Sequence, residues 1–260
     1  MRAVALAVCL TLSSLPGLAA QDRGDFKWSG TLGSGKTLEV IGINGDIDAR
    51  GGSGREARLD AVKTARRSDV DEVEIKVVQH DGGVTICAVY PSPRRSRPNE
   101  CLPGGRGRND TRDNDVHVDF TVVVPPGVEF VGRTVNGDVD ALDLTGEAEA
   151  HTVNGSITLE TAGYGSATSV NGSIRARLGR ADWDGELAFE TVNGEIELSL
   201  PASLSAEVHA SSVNGGMSSD FPLTVRGKIG RRSMRGTIGT GGRHLLLTTV
   251  NGGMELRKGG

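Results

Sequence analysis

Side chains able to do chemistry are few and widely spaced in this 260-residue chain. The five histidines, His80, His117, His151, His209 and His244, form no HxH or HExxH pair, and none adjoins a cysteine. Serine and threonine are plentiful, yet no Gly-x-Ser-x-Gly elbow presents a hydroxyl to a base. Gly33-Ser34-Gly35 with Lys36 lacks the spacing of a phosphate loop. Acids do pair after two turns, Asp46 with Asp48 and Asp138 with Asp140 and Asp143, as calcium ligands do in β-rolls. The matching places elsewhere hold Ser156, Ser173, Glu195 and Gly253, so no ligand set repeats and the acids read as a solvated rim. A carbohydrate-active enzyme on a β-helix would need paired carboxylates in an aromatic groove. Trp28, Trp183, Tyr90 and Tyr164 are too few and scattered for that. The expectation is a non-enzyme with no catalytic, cofactor or metal residues.

Two groups remain, a cysteine pair and a cluster of arginines. Arg2, the apolar run Ala3 to Leu12 and the small-residue exit Ser13 to Ala20 predict an export signal over 1–20, cleaved after Ala19 or Ala20. The apolar run is too short to span a bilayer, and no later run approaches that length, so no transmembrane anchor is expected. Cys9 follows Val8 rather than a small residue, which favours discarded signal over lipid attachment. Losing Arg2 takes the net charge from −4 to −5. An oxidising compartment would join Cys87 to Cys101, closing about 15 residues and stabilising by about 3 kcal/mol. A lone pair without nearby His or Cys is a poor metal site. The stretch 91–114 carries Arg94, Arg95, Arg97, Arg106, Arg108 and Arg112 among Pro, Gly, Asn and Asp. It reads either as a cationic patch for anionic glycans or lipid phosphates, or as a solvated, disulfide-tethered excursion that needs no ligand. Charge elsewhere is dispersed with no basic face, so no nucleic-acid partner is expected.

What positions these groups is a repeated phrase, a valine followed by Asn-Gly and an apolar residue two places on. It gives Asn136-Gly137, Asn154-Gly155, Asn171-Gly172, Asn193-Gly194, Asn214-Gly215 and Asn251-Gly252, with a forerunner at Asn44-Gly45 and a degenerate copy at 233–238. From Gly137 on, counting Gly236 of the degenerate copy, the glycines are 16 to 22 residues apart, right for one coil of a β-solenoid and short for a propeller blade. Before each phrase apolar residues alternate, as in Leu187, Phe189 and Thr191; the valine then breaks the parity, as a corner does. Asn and Gly both tolerate positive φ, so each corner is expected to use it. Equivalent Asn side chains would stack and hydrogen-bond from coil to coil. The rival is a run of hairpins, since Asn-Gly is also the favoured hairpin turn. The solenoid fits better because the flanking residue types recur with the phrase, as stacking of like on like requires. Upstream, Val73, Ile75 and Val77 alternate before the turn Asp81-Gly82-Gly83, and residues 56–67 read as helix or, preferably, strand. The predicted fold is all-β: a single-stranded β-solenoid or β-helix-like stack over 128–260, preceded by an antiparallel β portion over 21–127.

Gly42-Ile-Asn-Gly-Asp-Ile47, Gly83-Val-Thr-Ile-Cys-Ala-Val-Tyr-Pro91, Val-Pro-Pro-Gly-Val at 124–128 and the Val-Asn-Gly phrases together resemble the bacterial family DUF4097. The resemblance runs from about residue 26 to the end. It implies an exported, all-β, repeat-built protein of the bacterial envelope, adhesin-like by family name. The expected role is binding in the periplasm or at the cell surface, with an envelope protein or glycan, which the resemblance does not identify, as partner. No catalytic residues belong to the family pattern. The alternative it leaves open is a periplasmic accessory of an envelope-stress or anti-sigma system.

Overall fold

The computed structural model describes residues 24–94, 96–225 and 233–259. The expected signal over 1–20 and Arg95 lie outside the described residues. Runs of period two rich in Val, Ile and Thr become strands. They are, in chain order, β1 (Gly24–Thr31), β2 (Thr37–Ile41), β3 (Ile47–Gly51), β4 (Glu56–Thr64), β5 (Glu74–His80), β6 (Gly83–Val89) and β7 (His117–Val124). There follow β8 (Glu129–Arg133), β9 (Val139–Leu144), β10 (Ala148–His151), β11 (Ile157–Thr161), β12 (Gly165–Thr168), β13 (Ile174–Leu178) and β14 (Glu186–Glu190). The last are β15 (Ile196–Pro201), β16 (Ala206–Asn214), β17 (Met217–Ser219), β18 (Thr224–Val225), β19 (Ser233–Ile238), β20 (Arg243–Asn251) and β21 (Met254–Gly259). Residues 56–64 are thus strand, and helical turns among the described residues are confined to Val70–Glu72 and Pro103–Gly105.

Two sheets result, ordered β1-β4-β7-β3-β9-β11-β13-β15-β21-β17 and β18-β19-β16-β20-β14-β12-β10-β8-β2-β6-β5. Each coil gives one strand to each sheet, and neighbouring coils pair in parallel, as β8 and β9 do with β10 and β11. Stacked coils put like on like. Ile47, Val139, Ile157, Ile174, Ile196 and Met254 form one buried ladder. Facing them, Val40, Gly132, Ala150, Ala167, Phe189, Leu247 and Ala210 form another, large beside small. Every coil buries its apolar face only against its neighbours, so the stabilisation is spread along the stack.

Chain order is exchanged at both ends of the stack. Strands β6 and β7 follow β2 and β3 in sequence but lie outside them. Strands β20 and β21 come last yet wedge between the coil of β14–β15 and that of β16–β17. The parallel stack therefore takes in 37–51 and 83–124 as well as the coils after 128. Antiparallel strands close the ends: β5 on β6, β4 on β7 and β1 on β4 at one, β19 on β16 and β18 on β19 at the other. These strands cover the parallel edges of β6, β7 and β16, which would otherwise template further pairing, and leave β17 as an edge of the first sheet. Residues 233–238, expected to be a degenerate corner, are instead β19, running straight against β16. Without the asparagine, Arg235-Gly236 has no amide to join the neighbouring bends, and it extends.

Candidate functional site

The corner between the two sheets is a set of parallel ladders, one per position of the phrase. Thr134, Thr152, Ser169, Thr191, Thr249 and Ser212 point inward and are buried. Their hydroxyls donate to the carbonyls of Gly45, Gly137, Gly155, Gly172, Gly194 and Gly252 on the adjoining coil, at 2.8–3.2 Å. The next residue points outward: Val135, Val153, Val170, Val192 and Val213 are 36–44% exposed. The asparagine amides then form a continuous chain. Asn214 Nδ2 donates to Asn251 Oδ1, Asn251 to Asn193, Asn193 to Asn171, Asn171 to Asn154, Asn154 to Asn136 and Asn136 to Asn44, all at 2.7–2.8 Å. The donors all point one way, an arrangement in which each bond polarises the next. Asn44 Nδ2 ends the chain 3.4 Å from the carbonyl of Val116.

The glycines are required for a reason other than the expected one. Among the phrase glycines only Gly45 has positive φ, at 121°, and no asparagine of the phrase does. A Cβ on Gly172 would instead sit well under 3.0 Å from the carbonyl oxygen of Gly155. The same clash relates Gly137 to Gly45, Gly155 to Gly137, Gly194 to Gly172, Gly252 to Gly194 and Gly215 to Gly252. Coil stacking at about 4.8 Å leaves the bend no room for a side chain. The acids after the first two turns also have a structural task. Asp119 Oδ1 accepts from the backbone N–H of Asp46, Asp46 Oδ1 from that of Asp138, and Asp138 Oδ1 from that of Ser156, at 2.7–3.0 Å. Asp143, at φ 57°, supplies the extra residue of a β-bulge where β9 meets β11.

In the coil of β6 and β7 the corner is replaced by a long loop, and this is where the arginines lie. Its described residues form no strand, but the loop is held at many points. Cys87 and Cys101 are joined, with Cα atoms 5.7 Å apart. Buried Asn99 donates through Nδ2 to the carbonyls of Tyr90 and Asp110, and its Oδ1 accepts from Asp110 N. Asn109 donates to Ala88 O and accepts from Tyr90 N. The Tyr90 hydroxyl lies 2.9 Å from Val116 O and 3.4 Å from Asn44 O, closing the end of the asparagine chain. Burial pushes its pKa up to about 12, so the phenol stays a donor at neutral pH. On this frame Arg94, Arg97, Arg106, Arg108 and Arg112 are all exposed. Arg108 pairs with Asp110 and Arg106 Nε donates to Pro103 O. Arg94, Arg97 and Arg112 have no partner among the described residues.

Beneath the loop lies a polar network with no counterpart in the sequence reading. Glu39 on β2 is 3% exposed. Its carboxylate accepts from Thr85 Oγ1 at 2.9 Å, from Gly104 N of the loop at 2.8 Å and from Arg133 Nε at 3.3 Å. Arg133 reaches on to Glu149, which also meets His151 at 2.5 Å. His151 and Arg133 together hold the Glu149 carboxyl below its ordinary pKa. These residues are up to about a hundred positions apart, so only the coil register brings them together. Glu39→Gln keeps the shape but turns a donor toward donors. It is expected to cost about 2 kcal/mol and to loosen the loop, measured by urea unfolding and amide exchange at Gly104; an unchanged midpoint would remove the network from the account.

The other reactive groups are dispersed. A groove of about 400 Å³ near the far cap is lined by Glu186, Glu207, His209, Arg235 and His244 among others. His244 Nδ1 is 3.7 Å from Glu207 Oε2 there. His80 Nε2 contacts Thr85 Oγ1 at 3.3 Å. Among the described residues no cluster of three His, Cys, Asp or Glu could hold a metal ion, and no helix is long and apolar enough to cross a membrane. Trp183 and Tyr90 are buried, as packing and capping residues rather than walls of a groove.

Residues 18–257 match the family model described as Toastrack DUF4097. No curated protein matches the chain. Among solved structures, a candidate cell adhesion protein from Clostridium sporogenes aligns at 13% identity and TM-score 0.47, over 91% of this chain and 100% of that one. A candidate adhesin from Bacteroides fragilis aligns at 13% identity and TM-score 0.37, over 90% and 97%. One from Parabacteroides distasonis aligns at 10% and 0.26, also over 90% and 97%.

Proposed function

Because this chain belongs to the Toastrack DUF4097 family, we propose that it is a non-enzymatic binding module of the bacterial envelope, adhesin-like in its action, with the arginine loop as its contact surface. The observation that carries this reading is the state of the loop. Bare guanidinium groups of Arg94, Arg97 and Arg112 project from a segment held by a disulfide, buried Asn99 and half-buried Asn109. A loop ordered before contact loses little conformational entropy on binding. Guanidinium groups match carboxylate and phosphate oxygens in a planar fork, so the partner is an anionic glycan, bearing uronate or phosphate. The solenoid's part is to hold the loop at one end of a rigid stack.

The test uses purified full-length protein on immobilised polyuronate and on neutral dextran. Binding is expected to polyuronate alone and to weaken as salt is raised. Replacing Arg94, Arg97 or Arg112 singly by Ser is expected to weaken it by about 1 kcal/mol each, about fivefold. Equal retention on both matrices, or variants that bind like the parent, would overturn the reading.

A further inference from the structure

Seven Asn-Gly pairs look alike in sequence, yet the stack leaves one of them chemically different. Asn-Gly can modify itself: the glycine's backbone nitrogen gives up its proton and attacks the asparagine Cγ. The bond from Cγ to the side-chain nitrogen breaks, ammonia leaves, and a five-membered succinimide closes. Water then opens the ring to aspartate or isoaspartate, one water consumed for each ammonia released, with no change of oxidation state. The step needs a free glycine N–H and an amide able to swing onto it.

Six of the seven pairs lack both. The N–H groups of Gly45, Gly137, Gly155, Gly172, Gly194 and Gly252 donate to the carbonyls of Asn136, Asn154, Asn171, Asn193, Asn251 and Asn214 on the next coil, at 2.9–3.1 Å. Their asparagines are held on both sides, each amide donating to one neighbour and accepting from the other along the column. Asn44, at the closed end, donates to Val116 O instead. The seventh pair sits on the last coil. Because β20 and β21 wedge inward, the corner of β16–β17 has no coil beyond it among the described residues. The described part of the cap, β19, pairs with β16 from Ala206 to Ser211. Gly215 N has no hydrogen-bond partner among the described residues. The Asn214 side chain donates to Asn251, but its Oδ1 accepts from no donor among the described residues, and both Asn214 and Gly215 are exposed.

We propose that Asn214-Gly215 is a site of spontaneous deamidation, and that stacking shields the other six pairs. Conversion there puts a carboxylate at the open end of the amide chain and takes away the donor to Asn251 Oδ1, leaving the inner bonds in place.

Folded protein is incubated at mildly alkaline pH and sampled over time, with tryptic peptides weighed for the gain in mass and resolved for isoaspartate. A second sample is incubated fully unfolded in guanidinium. In the folded sample Asn214 is expected to convert at least about tenfold faster than any other pair, equivalent to about 1.4 kcal/mol of protection. In the unfolded sample all seven are expected to convert at similar rates. An inner pair leading in the folded protein, equal rates at all seven pairs, or a lead of Asn214 that persists when unfolded would each overturn the proposal.

Discussion

Gly172→Ala is expected to destabilise the fold by about 3 kcal/mol, lowering the melting temperature by about 6–12 °C for a chain of this size. The methyl group has nowhere to go. Its Cβ would overlap the carbonyl oxygen of Gly155, an atom fixed by the Ser169 hydroxyl. Relief requires the two coils to part at the corner. That stretches the bonds from Gly155 N to Asn171 O and from Asn171 Nδ2 to Asn154 Oδ1 together. Two controls separate this from the general effect of removing a glycine. Gly54 and Gly216 have open space where a Cβ would stand, and neither has positive φ. Alanine there is expected to be neutral or slightly stabilising through the unfolded chain. Gly216 is the more telling, since its neighbour Gly215 faces the carbonyl of Gly252. Equal melting temperatures for Gly172→Ala and Gly216→Ala would show that close approach is not what selects glycine at the bend.

Replacing Cys87 and Cys101 together by Ser is expected to cost about 3 kcal/mol, from the chain entropy released in a loop of about 15 residues. The effect is expected to be concentrated in the arginine loop. Cys87 and Cys101 form a small buried cluster with Val89, apart from the main core, and Ile41 and Val78 pack against it. Once the link is lost, only hydrogen bonds hold the loop, those of Asn99 and Asn109 and that of Gly104 N to Glu39 among them. Trypsin is then expected to cut after Arg106, Arg108 or Arg112, since Pro98 blocks cleavage after Arg97, while the coils from 129 onward stay intact. Peptide mapping of the parent without reductant is expected to recover the peptides of Cys87 and Cys101 linked. Two free thiols, or a digestion pattern unmoved by the double replacement, would deny the tether its role.

Much of the architecture is written in local patterns. Alternation such as Leu245, Leu247 and Thr249 marks the inward face because side chains on a strand change sides at every residue. A recurring Val-Asn-Gly marks the corner because a stack repeats its environment at every coil. The reason for glycine was not legible: a tolerance for positive φ is a property of one residue, whereas the clash with Gly155 involves two coils. The task of Asp46 and Asp138 was hidden in the same way, since their partners are backbone groups of the next coil. Thr152 and its equivalents stood in the repeated phrase, and their inward hydroxyls are the signal that a closer reading of parity could have found. Glu39, Arg133 and Tyr90 left no such signal, because nothing in their own neighbourhoods calls for a partner.

By itself the sequence determined the all-β class, the coil as the unit of repetition and the asparagine bends. All of these follow from period and from residue type within about 20 positions. Tertiary structure alone decided which coil lies on which. It exchanged the coil order at both ends, turned 233–238 into a capping strand, set Glu39 beneath the arginine loop and left Asn214-Gly215 at the open corner. Stacking energies between coils of like composition are nearly interchangeable, so local pattern cannot rank the neighbours.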